Sequence, residues 1–313
     1  MDAEGNLSMG KIALVGTGAI GGYYGGFLAR AGAEVHFLFR SDYQVAKKNG
    51  LRITMRRDAT ESFQLNPVRS YCNPEEIGIC DWVIVAVKTT ANEMLPEILG
   101  PLIGERTQLL TLQNGMGNVE WLSKVFGAHR STIAGLCFTC CNRVAPCEVE
   151  NYFPGYVQFG ELGRRLSTEG RSVMNAFSQS GIQTKEATTL EDALWRKLCW
   201  NVPFSGLAVT AGGITTDRIL DDSELSARAR SLMVEIQTAA RACEVEIEDD
   251  FLDQQFDLTK PMGEYKPSSL VDFLAGSEIE VEAIWGEPLR RGKMVGVPMP
   301  ELDKLYHDLL SLT

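Results

Sequence analysis

Short apolar runs alternate with helix-like stretches through the first half of the chain. Lys11-Ile12-Ala13-Leu14-Val15 is an apolar run closed by glycines, which predicts a buried strand. Ile20 to Ala31 is small and apolar and stops at Gly32, which predicts a helix. Further strands are predicted at Glu34 to Phe39, Asp81 to Val87, Gln108 to Leu112 and Thr132 to Thr139. Added strand structure is expected over Val149 to Glu161, where Tyr152, Tyr156, Val157 and Phe159 fall. Strands separated by helices imply a parallel sheet with helices on both faces. Near Thr188 the pattern changes. Leu190 to Ala211 is rich in helix formers, and Leu225, Ala229, Leu232, Ile236, Ala239 and Cys243 mark one face of a helix over Asp222 to Cys243. Ser268 to Ala275 and Glu278 to Arg291 predict two more helices, split by Gly276. The expected architecture is α/β: a parallel-sheet domain over 10–187 and an all-helical domain over 188–313, after a flexible leader over 1–9.

A chain of 313 residues suits two cores. Its net charge of −11 makes it a poor general binder of nucleic acid or of anionic membranes, although a pocket can still be locally positive for a small anion. Trp82-Val83-Ile84-Val85-Ala86-Val87 is strand-sized, well short of the about 20 apolar residues of a spanning helix. Met1 to Met9 lacks the basic start and apolar core of a signal peptide, and Met9 is a candidate alternative start. Eight cysteines without an export signal point to reduced thiols and a cytoplasmic location. Cys137 to Cys141 contains a C-x-x-C, but His36, His129 and His307 are not at metal-ligand spacing, and the run is apolar. No metal is expected.

Gly16-Thr17-Gly18-Ala19-Ile20-Gly21 is a G-x-G-x-x-G that follows a strand and opens a helix, the context that gives the motif weight. Gly16 permits the turn, Gly18 lets backbone approach a pyrophosphate, and Gly21 lets helix and strand pack closely. Amides at the helix start, at Ala19 and Ile20, present the positive end of the helix dipole to the phosphates. A dinucleotide unit for NAD usually ends its second strand in Asp or Glu. Here Arg40 stands there, a cation suited to a 2′-phosphate, which favours NADPH over NADH and over a methyl donor. Asp42, two residues on, weighs the other way. Lys88 follows the third strand and Asn114 the fourth, both at carboxyl ends where open α/β sheets bind ligands. A solvated lysine and a turn-forming asparagine are the plain alternatives.

In the second half, Lys197 and Asn201 lie four apart on one helix face, with Leu194 and Leu198 packing around them. A lysine in an apolar helix is costly without a partner or a task, unless it snorkels at the rim. Ser268 opens a later helix, where it can simply cap, and Glu280 follows on the next, where a surface acid is the plain alternative.

With these residues in order, the chain resembles the 2-dehydropantoate 2-reductase (ketopantoate reductase) family from Lys11 to about Pro300. The resemblance rests on the glycine fingerprint, Arg40, Lys88, the N-G-M-G turn from Asn114 to Gly117, the L-W-R-K-L-x-x-N helix from Leu194 to Asn201, and Pro267 to Asp272. The last piece is Glu280-Val281-Glu282-Ala283-Ile284-Trp285-Gly286. Glu278-Ile279-Glu280 is an alternative frame; Glu280 keeps the family spacing to both Ser268 and Gly286.

The resemblance implies a Rossmann-type domain, an all-helical domain and an active site in the cleft between them. It implies hydride transfer from NADPH to C2 of ketopantoate, giving pantoate for pantothenate biosynthesis. Carried over, Lys197 is the general acid and Glu280 orients the substrate or the lysine. Asn114, Asn201 and Ser268 bind substrate. Gly16, Gly18, Ala19, Ile20, Gly21, Arg40, Lys88 and Asn114 face the cofactor. The expected partner is a small 2-oxo acid, with a homodimer as one assembly consistent with the family.

Four positions depart from the family pattern. Ser205-Gly206 stands where a second asparagine and a proline are common, Trp285 replaces a common asparagine, and Trp200 precedes Asn201. All lie on the substrate side, which leaves another branched 2-oxo acid as the nearest rival substrate. A non-catalytic NADP sensor is a further alternative, disfavoured because it has no need of Lys197, Asn201 and Glu280 together.

Overall fold

The computed structural model describes residues 9–313. The leader expected over 1–9 therefore lies outside the described residues except for Met9, which is 4% exposed and packed into the sheet core. The chain forms two compact units. One runs through Gln113 and resumes over Asn118–Leu190; the other joins Asn114–Gly117 to Glu191–Thr313. The seam expected after residue 187 thus falls three residues later, and the N-G-M-G turn belongs with the helical unit.

The first unit is built on one ten-stranded sheet. Its strands are β1 (Lys11–Val15), β2 (Glu34–Leu38), β3 (Leu51–Met55), β4 (Phe63–Leu65), β5 (Ser70–Tyr71), β6 (Cys80–Val85), β7 (Ile103–Thr111), β8 (Thr132–Ala145), β9 (Glu148–Glu161) and β10 (Thr184–Glu186). Their order is β4-β3-β9-β8-β7-β6-β1-β2-β5, with β10 on β9. The run from β8 to β5 is parallel, as the alternating pattern predicts. The sheet as a whole is mixed, because β8 and β9 form a long antiparallel hairpin and β4 pairs antiparallel with β3. The departure from an all-parallel sheet has a simple origin. β8 and β9 are separated only by Pro146 and Cys147, and so short a connection can only turn back.

Alternation along β1 sorts the cores. Ile12 and Leu14 face one cluster with Tyr24, Leu28 and Phe37; Ala13 and Val15 face the other with Val83, Val85 and Leu109. Both faces are covered, as a parallel sheet requires. β1 pairs β2 on one side and β6 on the other, so the strand order reverses there. That reversal opens a crevice beyond the carboxyl ends of β1 and β6, where α/β sheets take their ligands.

The second unit is helical. Its long helix, Ser223–Ala242, starts at Asp222, whose Oδ1 accepts from the amides of Glu224 and Leu225 at 2.9 and 3.0 Å. Such a cap contributes about 1 kcal/mol. The stretch from Leu190 is helical as predicted but not uniform. Leu190–Trp200 is α-helical, Asn201–Ser205 widens to a π-helical turn, and Gly206–Thr210 resumes the α-helix. Pro203 gives the reason: it has no N–H to donate back, and its ring crowds the carbonyl four residues earlier. The helix expected from Glu278 starts later. Glu278 to Glu280 are not helical, a second π-helical turn occupies Glu282–Gly286, and an α-helix follows over Glu287–Met294. Ile279 and Glu280 are buried instead, and the Ile284 amide donates to the Glu280 carbonyl at 3.1 Å, the first helical bond. No helix among the described residues is long and apolar enough to cross a membrane.

Candidate active site

In the first unit the glycine loop lies where β1 meets the helix Ala19–Arg30. Its glycines are held for different reasons. Gly16 has φ +99°, and a Cβ there would lie 2.5 Å from the Val87 amide nitrogen. A Cβ on Gly21 would lie 2.1 Å from the Gly16 carbonyl oxygen. Gly16 is thus fixed against the backbone that leaves β6, and Gly21 against the loop's own carbonyl. Around Gly18 nothing lies within 4 Å of a Cβ position. The protein itself does not require glycine there, which is what a loop that admits a phosphate shows. The helix it opens has no side-chain cap and no acid in its first turn, so the amides at its start face outward with the dipole's positive end.

Thr17 Oγ1 donates to the Leu38 carbonyl at 3.2 Å, tying the glycine loop to the end of β2. Arg40 stands two residues beyond that carbonyl, exposed and with no ion pair among the described residues. Asp42, the residue that weighed against a 2′-phosphate, is 7% exposed and already occupied. It accepts from Arg143 Nη2 at 2.7 Å and Nε at 3.0 Å and from the Cys147 amide at 3.2 Å. Burial raises its pKa, but the hydrogen bonds from Arg143 and Ser41 outweigh this and hold the carboxyl below its ordinary value. Asp42 precedes the helix Tyr43–Asn49 without capping it. Its carboxylate is spent on the β8–β9 hairpin, a partner 101 residues away that no local pattern reveals. Lys88 follows β6 on extended backbone, half-buried, one residue beyond the segment that touches Gly16. The uncapped helix start, the open space at Gly18 and the unpaired Arg40 fit a phosphorylated dinucleotide.

In the second unit Lys197 sits on the helix Leu190–Trp200 between buried Trp195, Leu198 and Cys199. Burial pushes the Cys199 thiol up to about 12, so it stays protonated at neutral pH. Lys197 Nζ donates to Asn114 Oδ1 at 3.0 Å. Asn114 is positioned by its loop. Gly115 has φ +82°, and a Cβ there would come within 2.4 Å of the Ala283 carbonyl oxygen. The Met116 amide donates to that same carbonyl at 2.8 Å. The loop is therefore docked on the π-helical turn that begins two residues after Glu280, which is 9% exposed. Asn201, the first residue of the other π-helical turn, is half-buried and makes no side-chain hydrogen bond among the described residues. Ser268 opens the helix Ser268–Leu274 exposed and without capping it; no hydrogen bond joins it to Lys197 or Asn114.

The fingerprint residues Gly16, Gly18, Ala19, Ile20 and Gly21, with Arg40 and Lys88, thus fall in the first unit. Lys197, Asn114, Asn201, Ser268 and Glu280 fall in the second. Asn114, expected to face both cofactor and substrate, groups with the lysine. The eight cysteines are free, and among the described residues no group of three or more His, Cys, Asp or Glu is arranged for a metal ion.

A Rossmann-type sheet with this loop, in a chain whose helical unit carries a hydrogen-bonded lysine, defines a nicotinamide-dependent oxidoreductase. The family model described as ketopantoate reductase PanE/ApbA matches residues 12–164, and its C-terminal counterpart matches residues 189–311. The chain is 35% identical to a 2-dehydropantoate 2-reductase of Nostoc sp., over 96% of this chain and 95% of that protein. The crystal structure of 2-dehydropantoate 2-reductase from Geobacter metallireducens superposes with a TM-score of 0.92 at 39% identity, covering 97% of this chain and all (100%) of that one. The enzyme from Methylococcus capsulatus does so with a TM-score of 0.87 at 30% identity, covering 96% and 97%. The chain belongs to the ketopantoate reductase family, oxidoreductases that act on CH–OH groups.

Proposed function

We propose that this chain reduces 2-dehydropantoate to pantoate with NADPH, in the cytoplasm, as a step of pantothenate biosynthesis. The observation that carries the proposal is the Lys197–Asn114 hydrogen bond, which aims the one ammonium of an apolar helix by a docked loop. In this reading residues 10–187 hold the dinucleotide through Gly16, Gly18, Ala19, Ile20, Gly21, Arg40 and Lys88. Residues 188–313, with Asn114, hold the 2-oxo acid, and two copies of the chain assemble as a homodimer.

When bound, the reduced nicotinamide supplies the hydride that converts the 2-oxo carbon to CH–OH. The carbonyl oxygen gains negative charge as this happens. Lys197 stabilises that charge and gives its proton from Nζ to the oxygen, leaving a neutral amine that takes a proton back from water. Asn114 holds Nζ through its side-chain oxygen, so the ammonium is aimed before substrate arrives. Asn201 and Ser268 offer an amide and a hydroxyl to the substrate's polar groups, and Glu280 orients the substrate hydroxyl or the lysine.

The test is oxidation of NADPH, followed at the nicotinamide absorbance, with ketopantoate and with other branched 2-oxo acids. Turnover of ketopantoate above its rivals supports the proposal. Turnover of another branched 2-oxo acid alone keeps the mechanism and changes the substrate. Binding of NADPH with no turnover of any 2-oxo acid overturns it.

A further inference from the structure

Two residues that depart from the family pattern, Trp285 and Gly206, meet in one buried contact. The Trp285 indole is fully buried, and its Nε1–H donates to the Val202 carbonyl at 2.9 Å. A Cβ on Gly206 would lie 2.8 Å from that same Nε1 and 2.7 Å from Leu305 Cδ2. Only glycine at 206 leaves the indole its seat. Ser205, beside it, is buried in the same turn. The departures at 285 and 206, distant in sequence, are therefore one coupled change.

The contact joins the two π-helical turns of the helical unit, Asn201–Ser205 and Glu282–Gly286. Each adjoins residues proposed for the site. Asn201 is the first residue of one turn and lies four residues beyond Lys197. Glu280 precedes the other by two residues, and Ala283 within it holds the Asn114 loop through the Met116 amide. A π-helical turn inserts one residue into an α-helix, and a residue is worth about 100° of rotation about the axis. If either turn slipped back to α-helical geometry, the side chains on its two sides would change phase by that angle. A hydrogen bond from one turn to a backbone carbonyl of the other holds both in register.

We propose that Trp285 is a positioning residue: its indole N–H, seated against Gly206, locks the two π-helical turns and so sets Asn201 and Glu280 for the 2-oxo acid. This rests on the function proposed above. Trp285 touches no reacting atom; it acts through the carbonyl of Val202. The cofactor residues lie in the other unit, so the lock bears on substrate rather than on dinucleotide.

Trp285→Phe keeps a ring in the cavity and removes the donor. The expected result is a KM for the 2-oxo acid raised about tenfold, the effect of one misplaced hydrogen bond, with the NADPH Kd from nicotinamide fluorescence within about twofold of wild type. The Kd of the 2-hydroxy acid product for the enzyme–NADP complex, measured by calorimetry, should rise in step. Asn201→Ala added to Trp285→Phe should cost less than the product of the two single effects, because the asparagine is already out of place. A merely structural loss would multiply in full. Should Trp285→Phe not fold, Gly206→Ala retains the indole and displaces it from Val202, with the same KM rise expected. A substrate KM within about twofold of wild type, or full multiplication with Asn201→Ala, overturns the lock while leaving the proposed function standing. Absence of 2-oxo acid turnover in the wild type overturns the function itself, and the lock with it.

Discussion

Lys197 and Asn114 stand 83 residues apart in sequence and 3.0 Å apart in space. The ammonium is the donor and the amide oxygen the acceptor, so the side chain is held in one direction by a residue from a distant loop. On the proposed mechanism, removing the group should remove the proton donor and little else. Lys197→Ala is expected to lower kcat by about 10²–10⁴-fold, the usual contribution of a general acid. The Kd for NADPH, from fluorescence titration, should barely move. Lys197→Arg should rescue poorly, because a guanidinium keeps its charge but yields its proton reluctantly. Near wild-type turnover in Lys197→Ala would remove the lysine from the mechanism.

The loop that carries Asn114 offers a second test. Gly115 combines a positive φ with a close approach to Ala283, and either alone disfavours a side chain. Gly115→Ala should lift the loop from the π-helical turn and carry Asn114 away from Lys197. A loss of kcat of about tenfold or more is expected, with a lowered melting temperature from the strained backbone. If Gly115→Ala turned over normally, the docking of this loop would not be what aims the lysine.

Much of this site was legible in the chain and some was not, and the division is physical. The glycine fingerprint, Arg40 and the Lys197/Asn201 spacing are local, set by a turn, a strand end and a helix period, so they could be read directly. β3 could have been read too, since Leu51, Ile53 and Met55 are buried and alternate with more exposed residues. β10, with its Thr-Lys-Glu, carries no such pattern and exists because β9 offers it an edge. The pairing of Asp42 with Arg143 and of Trp285 with Val202 are long-range contacts. Asp42 was therefore visible as a charge near Arg40 but not as a charge already neutralised. The later start of the helix, beyond Glu280, follows from burial of Ile279, which a run of helix-forming residues does not disclose.

The Asp42–Arg143 pair predicts how stability depends on pH. Asp42 has its folded pKa held below the ordinary value of about 3.9, so the unfolded chain binds its proton first as pH falls. The stabilisation is fully present above that unfolded value and is lost as pH falls through the lower folded one. Acid unfolding should therefore include a component below about pH 4. Asp42→Asn should weaken that component. Arg143→Met should cost on the order of 1–3 kcal/mol at neutral pH, because it leaves a buried carboxylate underpaired. Denaturant melts at pH 7 and pH 3.5 would separate the two effects. Equal losses at both values for Arg143→Met would show that the pair contributes through packing rather than charge.

The same pair bears on the choice of cofactor. Arg40 and Asp42 are two residues apart, so their Cα atoms lie within about 7.6 Å of each other. A free carboxylate so near would repel a 2′-phosphate; one already bound by a guanidinium does so far less. Arg40 has no competing acid among the described residues and remains available to the phosphate. Arg40→Ala should weaken NADPH by roughly 10–100-fold, the worth of a charge-assisted hydrogen bond, and leave NADH nearly unchanged. Arg143→Ala, which frees Asp42, should shift the ratio of NADPH to NADH affinity in the same direction by a smaller factor. Restoring the ratio in Arg143→Ala/Asp42→Asn would assign that shift to the carboxylate. Parallel weakening of both dinucleotides by Arg40→Ala would show that the arginine binds the shared portion of the cofactor, and the preference for NADPH would lose its basis.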